Sequence, residues 1–88
     1  MAREIKLNGR EKSILRGIGF GLPITGAELI ERMNMDLQDL ADSLSSLLQI
    51  GYIETVSLKE ELGPDELVAE TFEINPAYGG ELREAIKR

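Results

Sequence analysis

Residues 36–51, DLQDLADSLSSLLQIG, carry their own start, core stripe and stop, and the rest of the fold has to be built around them. Leu37, Leu40, Ala41, Leu44, Leu47 and Leu48 fall at steps of 3, 1, 3, 3 and 1, which is a narrow apolar face at helical period. Asp36 stands where an N-cap belongs, because a short side-chain oxygen there can take up a first-turn N–H. Gly51 stands at the C′ position, which favours a left-handed residue. The outer face of this helix carries Gln38, Asp39, Asp42, Ser46 and Gln49, without a lysine or arginine.

Shorter segments flank it. Asn8 followed by Glu11 has capping-box spacing and opens a first helix to about Ile18, with Ile14, Leu15 and Ile18 inward. Gly17, Gly19 and Gly21 end it. This glycine run is not a dinucleotide fingerprint, since its third glycine comes one place early and no strand precedes it. Pro23 biases Leu22 toward extended backbone, so Leu22 to Ile24 reads as a short extended piece. Thr25 and Glu28 form a second capping-box pattern, opening a helix to about Met33 with Leu29, Ile30 and Met33 inward. Asn34-Met35 is the turn that follows.

Beyond the third helix, residues 52–57 and 68–74 are rich in β-branched and aromatic residues and read as paired strands. The ten residues between them contain Gly63-Pro64-Asp65, a turn signal, and are long enough for a mobile tip. Asn75 and Pro76, a cap and an N1 proline, open a last helix to Arg88, with Gly79-Gly80 delaying its start and Leu82 and Ile86 docking it. Phe20 is expected to cap the core from the glycine loop. Met33 and Met35 are expected to fill it, and Tyr52 and Tyr78 to bury their rings with wet hydroxyls.

Composition narrows the chemistry. The 88 residues are expected to form a single domain over 1–88, and a chain of this size buries roughly 60% of its unfolded surface. Cysteine and histidine are both absent, which removes disulfides, thiol nucleophiles, a Ser-His-Asp triad and His- or Cys-ligated metals. Ser43, Ser45 and Ser46 have no histidine base, and the acidic pairs Glu60-Glu61 and Asp65-Glu66 lack calcium-loop spacing. The chain is therefore expected to be non-enzymatic, with no cofactor and no metal. No apolar run approaches the ~18 residues of a membrane span and the N-terminus lacks a signal-peptide core, so the expected compartment is the cytoplasm.

Charge is unevenly spread. The net −6 divides into +3 over residues 1–18, −10 over 28–73 and +1 over 74–88. An acidic middle of this kind repels polyanions and steers toward basic partners. First-turn carboxylates suit the helix dipole, which accounts for Asp36 and Asp39 but leaves Asp42 unexplained.

The order of these elements, together with three local motifs, resembles the winged helix-turn-helix superfamily, and within it the PadR-like and MarR-like regulators. Leu22 to Met33 resembles their second helix with its hydrophobic-Thr-Gly-x-Glu-Leu start. Leu47 to Ile53 resembles the LxxxGYI exit from their recognition helix. Phe72 to Pro76 resembles the exit from their wing. The resemblance implies an α+β fold, with a three-helix core, a short β-hairpin wing and a C-terminal helix. It further implies that helix three enters the major groove through Gln38, Asp39 and Asp42, and that the wing touches phosphates. DNA-binding members usually carry basic or small polar residues at those positions. Here helix three has a charge of −3, and the wing loop 58–67 sets Lys59 against Glu60, Glu61, Asp65 and Glu66, also −3.

Affinity for a duplex comes mainly from cations meeting phosphates. The candidates for that work are Arg10, Lys12, Arg16, Arg32 and Lys59. The balance favours a binding module whose acidic helix-three and wing surface docks a basic protein partner or mediates regulatory assembly. The alternative is a small DNA-binding transcriptional regulator, as a homodimer. Self-association through the terminal helices is compatible with the protein-docking reading.

Overall fold

The computed structural model describes residues 5–57 and 62–87. It contains α1 (Gly9–Ile18), β1 (Ile24–Thr25), α2 (Gly26–Met33), α3 (Leu37–Ile50), β2 (Ile53–Thr55), a 3-10 helix (Pro64–Ala69), β3 (Thr71–Ile74), a second short 3-10 turn (Pro76–Tyr78) and α4 (Gly79–Lys87). The strands form one antiparallel sheet in the order β1-β3-β2, with Ile24 opposite Phe72 and Ile53 opposite Ile74. The architecture is α+β.

The helix boundaries follow the caps. Asn8 and Glu11 form a complete capping box, with Glu11 N–H donating to Asn8 Oδ1 at 2.8 Å and Asn8 N–H to Glu11 Oε1 at 2.9 Å. The Asp36 carboxylate accepts from the Gln38 and Asp39 amides at 2.9 and 3.2 Å. At the far end of α3, Gly51 lies at φ +99°, a conformation that costs a side-chain-bearing residue more, and its N–H donates to Leu47 C=O. Asn34 takes the left-handed conformation that the α2–α3 turn needs, at φ +48°.

Only half of the second capping box forms. Thr25 Oγ1 accepts from the Glu28 amide at 3.2 Å, but Thr25 also ends β1, and the Glu28 carboxylate lies 3.7 Å from Arg32.

One core joins all layers. Ile14, Leu15, Leu29, Leu40, Leu44, Leu47, Ile53, Leu67, Phe72 and Leu82 are fully buried. The α3 stripe is narrower than its sequence implies: Leu37 is 43% exposed, along with the rest of residues 36–39, and burial begins at Leu40 and Ala41. Ile30, Met33, Met35 and Phe20 are half-buried and pack against the core edge. Arg83 lies over the Phe20 ring, 5.0 Å from its centroid. The Tyr52 and Tyr78 rings, half-buried rather than enclosed, meet edge-to-face at 5.3 Å. The apolar face of α4 (Leu82, Ala85, Ile86) is spent inside this same core.

The largest departure lies between β2 and β3. Both strands are shorter than their β-rich runs, and residues 64–69, expected as loop and strand start, form the 3-10 helix. Leu67 is completely buried and Leu62 is 6% exposed, so this stretch folds back onto α2 and α3. The remainder of the connection, including the expected mobile tip with Lys59, Glu60 and Glu61, lies outside the described residues.

Candidate functional site

The outward face of α3 divides into two clefts. On one side, Gln38 Nε2 donates to Asp42 Oδ1 at 2.9 Å, an i,i+4 pair on the exposed face. With Ser45, Leu62, Gly63 and Glu66 they line a cleft of about 420 Å³ between α3 and the 3-10 helix. Glu66 Oε1 accepts from the Gly63 amide at 2.9 Å, which holds the near end of that helix. Ser46, Gln49 and Asp65 are exposed. Of the expected surface residues, Gln38, Asp42 and Glu66 thus come together. Asp39 instead lies across the helix, on the side facing α1.

Ser45, considered in the sequence only as a serine without a histidine base, has a structural role. Its hydroxyl accepts from the Leu62 amide at 3.0 Å and donates to the Leu62 carbonyl at 3.4 Å, fastening the connection to α3. The available signal was its place seven residues, or two turns, after Gln38 on the polar stripe. Ser45→Ala is expected to cost about 1–2 kcal/mol by leaving a part-buried amide unpaired. Hydrogen exchange would check it, with the Leu62 amide losing protection while amides of α1 keep theirs.

The other cleft, about 730 Å³, runs between α1 and the α2–α3 corner. Arg10, Ser13, Arg16 and Gly17 line it from α1, Arg32, Met33 and Met35 from the corner, and Asp36 and Asp39 from the start of α3. Two of its arginines are already committed. Arg32 Nη1 donates to the Gly17 carbonyl at 2.8 Å, and Arg16 Nη2 donates to the Ile86 carbonyl at 3.0 Å. Both acceptors lie in the last turns of helices, where carbonyls have no helical partner and the dipole favours a cation. Arg10 is exposed and makes no hydrogen bond or ion pair among the described residues, and Lys12 is half-buried on α1. Lys59 lies outside the described residues. Of the described cations considered for phosphate contact, Arg10, Arg16 and Arg32 thus share one cleft, with Asp36 and Asp39 beside them.

A further polar contact has a structural use. Ser57 Oγ lies 2.9 Å from both oxygens of Glu70, whose side chain is buried at the start of β3. The contact ties the turn after β2 to the sheet. Among the described residues, no group of three or more His, Cys, Asp or Glu could hold a metal ion. No described helix is long and apolar enough to cross a membrane. No family model, curated protein or solved structure matches this chain.

Proposed function

We propose that this chain is a winged helix-turn-helix domain that acts by binding and not by catalysis, and that its α3 and wing surface docks a basic protein partner. The element order supports the fold reading. Three helices precede a β2–β3 pair, β1 completes the sheet in the order β1-β3-β2, and only residues 34–36 separate α2 from α3. In that arrangement α3 is the recognition helix and the connection between β2 and β3 is the wing.

The observation that carries the docking reading is the placement of the charges. Asp42 and Glu66 line the cleft between α3 and the connection with no cation among its described lining residues, and Asp65 stands exposed beside it, while Arg16 and Arg32 line the other cleft and donate to helix-end carbonyls. A duplex-binding surface typically meets about 6–10 phosphates with cations, and a face of carboxylates repels them. The same face attracts a basic protein surface and raises its rate of encounter.

Fluorescence anisotropy tests this with two probes, a labelled random-sequence duplex and a labelled lysine- and arginine-rich peptide, each at low and near-physiological salt. The expected result is binding of the peptide alone. Asp42→Lys with Asp65→Lys weakens that binding by about tenfold, since each exposed ion pair contributes roughly 0.2–1 kcal/mol and each reversal adds repulsion. Glu31→Lys with Glu84→Lys, the same charge change on exposed positions of α2 and α4, leaves it within about twofold. Equal losses in the two double variants would reduce the effect to net charge. Duplex binding that weakens steeply with salt would favour the transcriptional-regulator reading instead.

A further inference from the structure

We propose that the groove between α1 and the α2–α3 corner is a self-association face, and that its occupant is a second copy of this chain. The groove carries both signs of charge on opposite rims. Arg10 stands on the α1 rim and Asp39 on the α3 rim, both exposed, and among the described residues neither side chain makes a hydrogen bond or ion pair. The two charges line one groove without meeting each other. Met33 and Met35, half-buried, supply apolar surface between them, and Leu37, next in sequence to Asp36, is 43% exposed.

Mixed charge selects the occupant. A small anion would meet the Asp36 and Asp39 carboxylates, and a basic peptide would meet the guanidinium groups. A two-fold copy offers both signs at once, because an isologous contact sets the same patch against itself in the register that brings each Arg10 to the partner's Asp39. Methionine side chains adapt readily to such facing contacts. The pairs sit at a rim in water, so the association is weak and falls with salt. It leaves the Asp42 side of α3 uncovered. It covers three arginines and two aspartates of each copy, so the remaining surface is more acidic by one charge per copy. The proposal stands or falls independently of the docking reading, which concerns the other cleft.

Sedimentation equilibrium of the full chain, from micromolar to near-millimolar concentration, provides the test. The wild type is expected to dimerise at low ionic strength and to dissociate at about 1 M salt. Arg10→Glu and Asp39→Arg, both at exposed positions and checked for folding by circular dichroism, each weaken self-association roughly tenfold or more, since like charges then face each other twice. An equimolar mixture of the two variants recovers dimers, because Glu at position 10 meets Arg at position 39 while the native pair survives on the other side. A wild type that stays monomeric at low salt would overturn the proposal. So would single variants that dimerise as well as wild type, or a mixture of folded variants that fails to recover.

Discussion

Gly26→Ala is expected to destabilise this domain by about 3 kcal/mol or more, a large fraction of the roughly 5–13 kcal/mol that a chain of this length commands. The reason is space and not backbone conformation. Gly26 begins α2 directly after the Thr25 cap, where alanine would ordinarily be the better helix former. A Cβ at this position would lie 1.5 Å from the Leu67 carbonyl oxygen and 2.5 Å from its carbon. Both atoms belong to backbone, so no side-chain rotation relieves the overlap, and the 3-10 helix has to move bodily. That movement would also break the 2.7 Å hydrogen bond from the Gly26 amide to the Glu70 carbonyl. Gly80→Ala is the matched control. It lies in α4 with open space around its Cβ, and it should be neutral or stabilising by up to about 1 kcal/mol. Urea unfolding of the three proteins gives the comparison directly. A Gly26→Ala midpoint within about 0.5 kcal/mol of wild type would mean that the connection does not lie against α2.

The same contact marks where the sequence stopped being legible. Helix ends could be read because their causes are local: Asp36 bonds amides two and three residues on, Asn8 and Glu11 satisfy each other, and Gly51 needs only its own φ. The Gly26–Leu67 approach spans forty-one residues, and the capping-box pattern of Thr25 and Glu28 gives Gly26 no role of its own. Likewise the segment Leu62 to Ala69 carries turn residues and acids that read as loop and, from Val68, as strand start, while its fixation rests on burial of Leu67 and the Leu62 hydrogen bond to Ser45 of α3. Periodicity assigned Leu37 to the core because it measures spacing, not how far the covering layer reaches. The acidity of the α3 face was plain from composition. Its division into two clefts was not, since Asp39 and Asp42 differ by less than one turn and only their neighbours on other elements separate them. The hydrogen bonds of Arg16 and Arg32 were equally hidden, because their acceptors are backbone carbonyls that carry no sequence signal.

Leu67→Ala should cost about 2–5 kcal/mol, the range for truncating a fully enclosed leucine. The size of this effect discriminates between two kinds of connection. A loosely attached wing would lose little when one of its side chains is cut back, whereas here Leu67 packs between α2 and α3 as part of the common core. Combining Leu67→Ala with Ser45→Ala should give less than the sum of the two, since both release the same segment from α3. In hydrogen exchange, the Leu62 and Gly26 amides should lose protection together, as they donate to Ser45 and to the Glu70 carbonyl at the two ends of that segment. The consequence for binding follows from position. Asp42 stays on α3, but Glu66 and Gly63 form the opposite wall of its cleft and depend on Leu67 for their place. A folded Leu67→Ala protein should therefore bind the basic peptide less well while self-associating like wild type, because the Arg10–Asp39 groove contains no residue of this connection. A loss of both activities at a temperature where circular dichroism shows native helix content would mean that the two clefts are energetically coupled through α3. A loss of neither, at a cost under about 1 kcal/mol, would return the connection to a flexible wing.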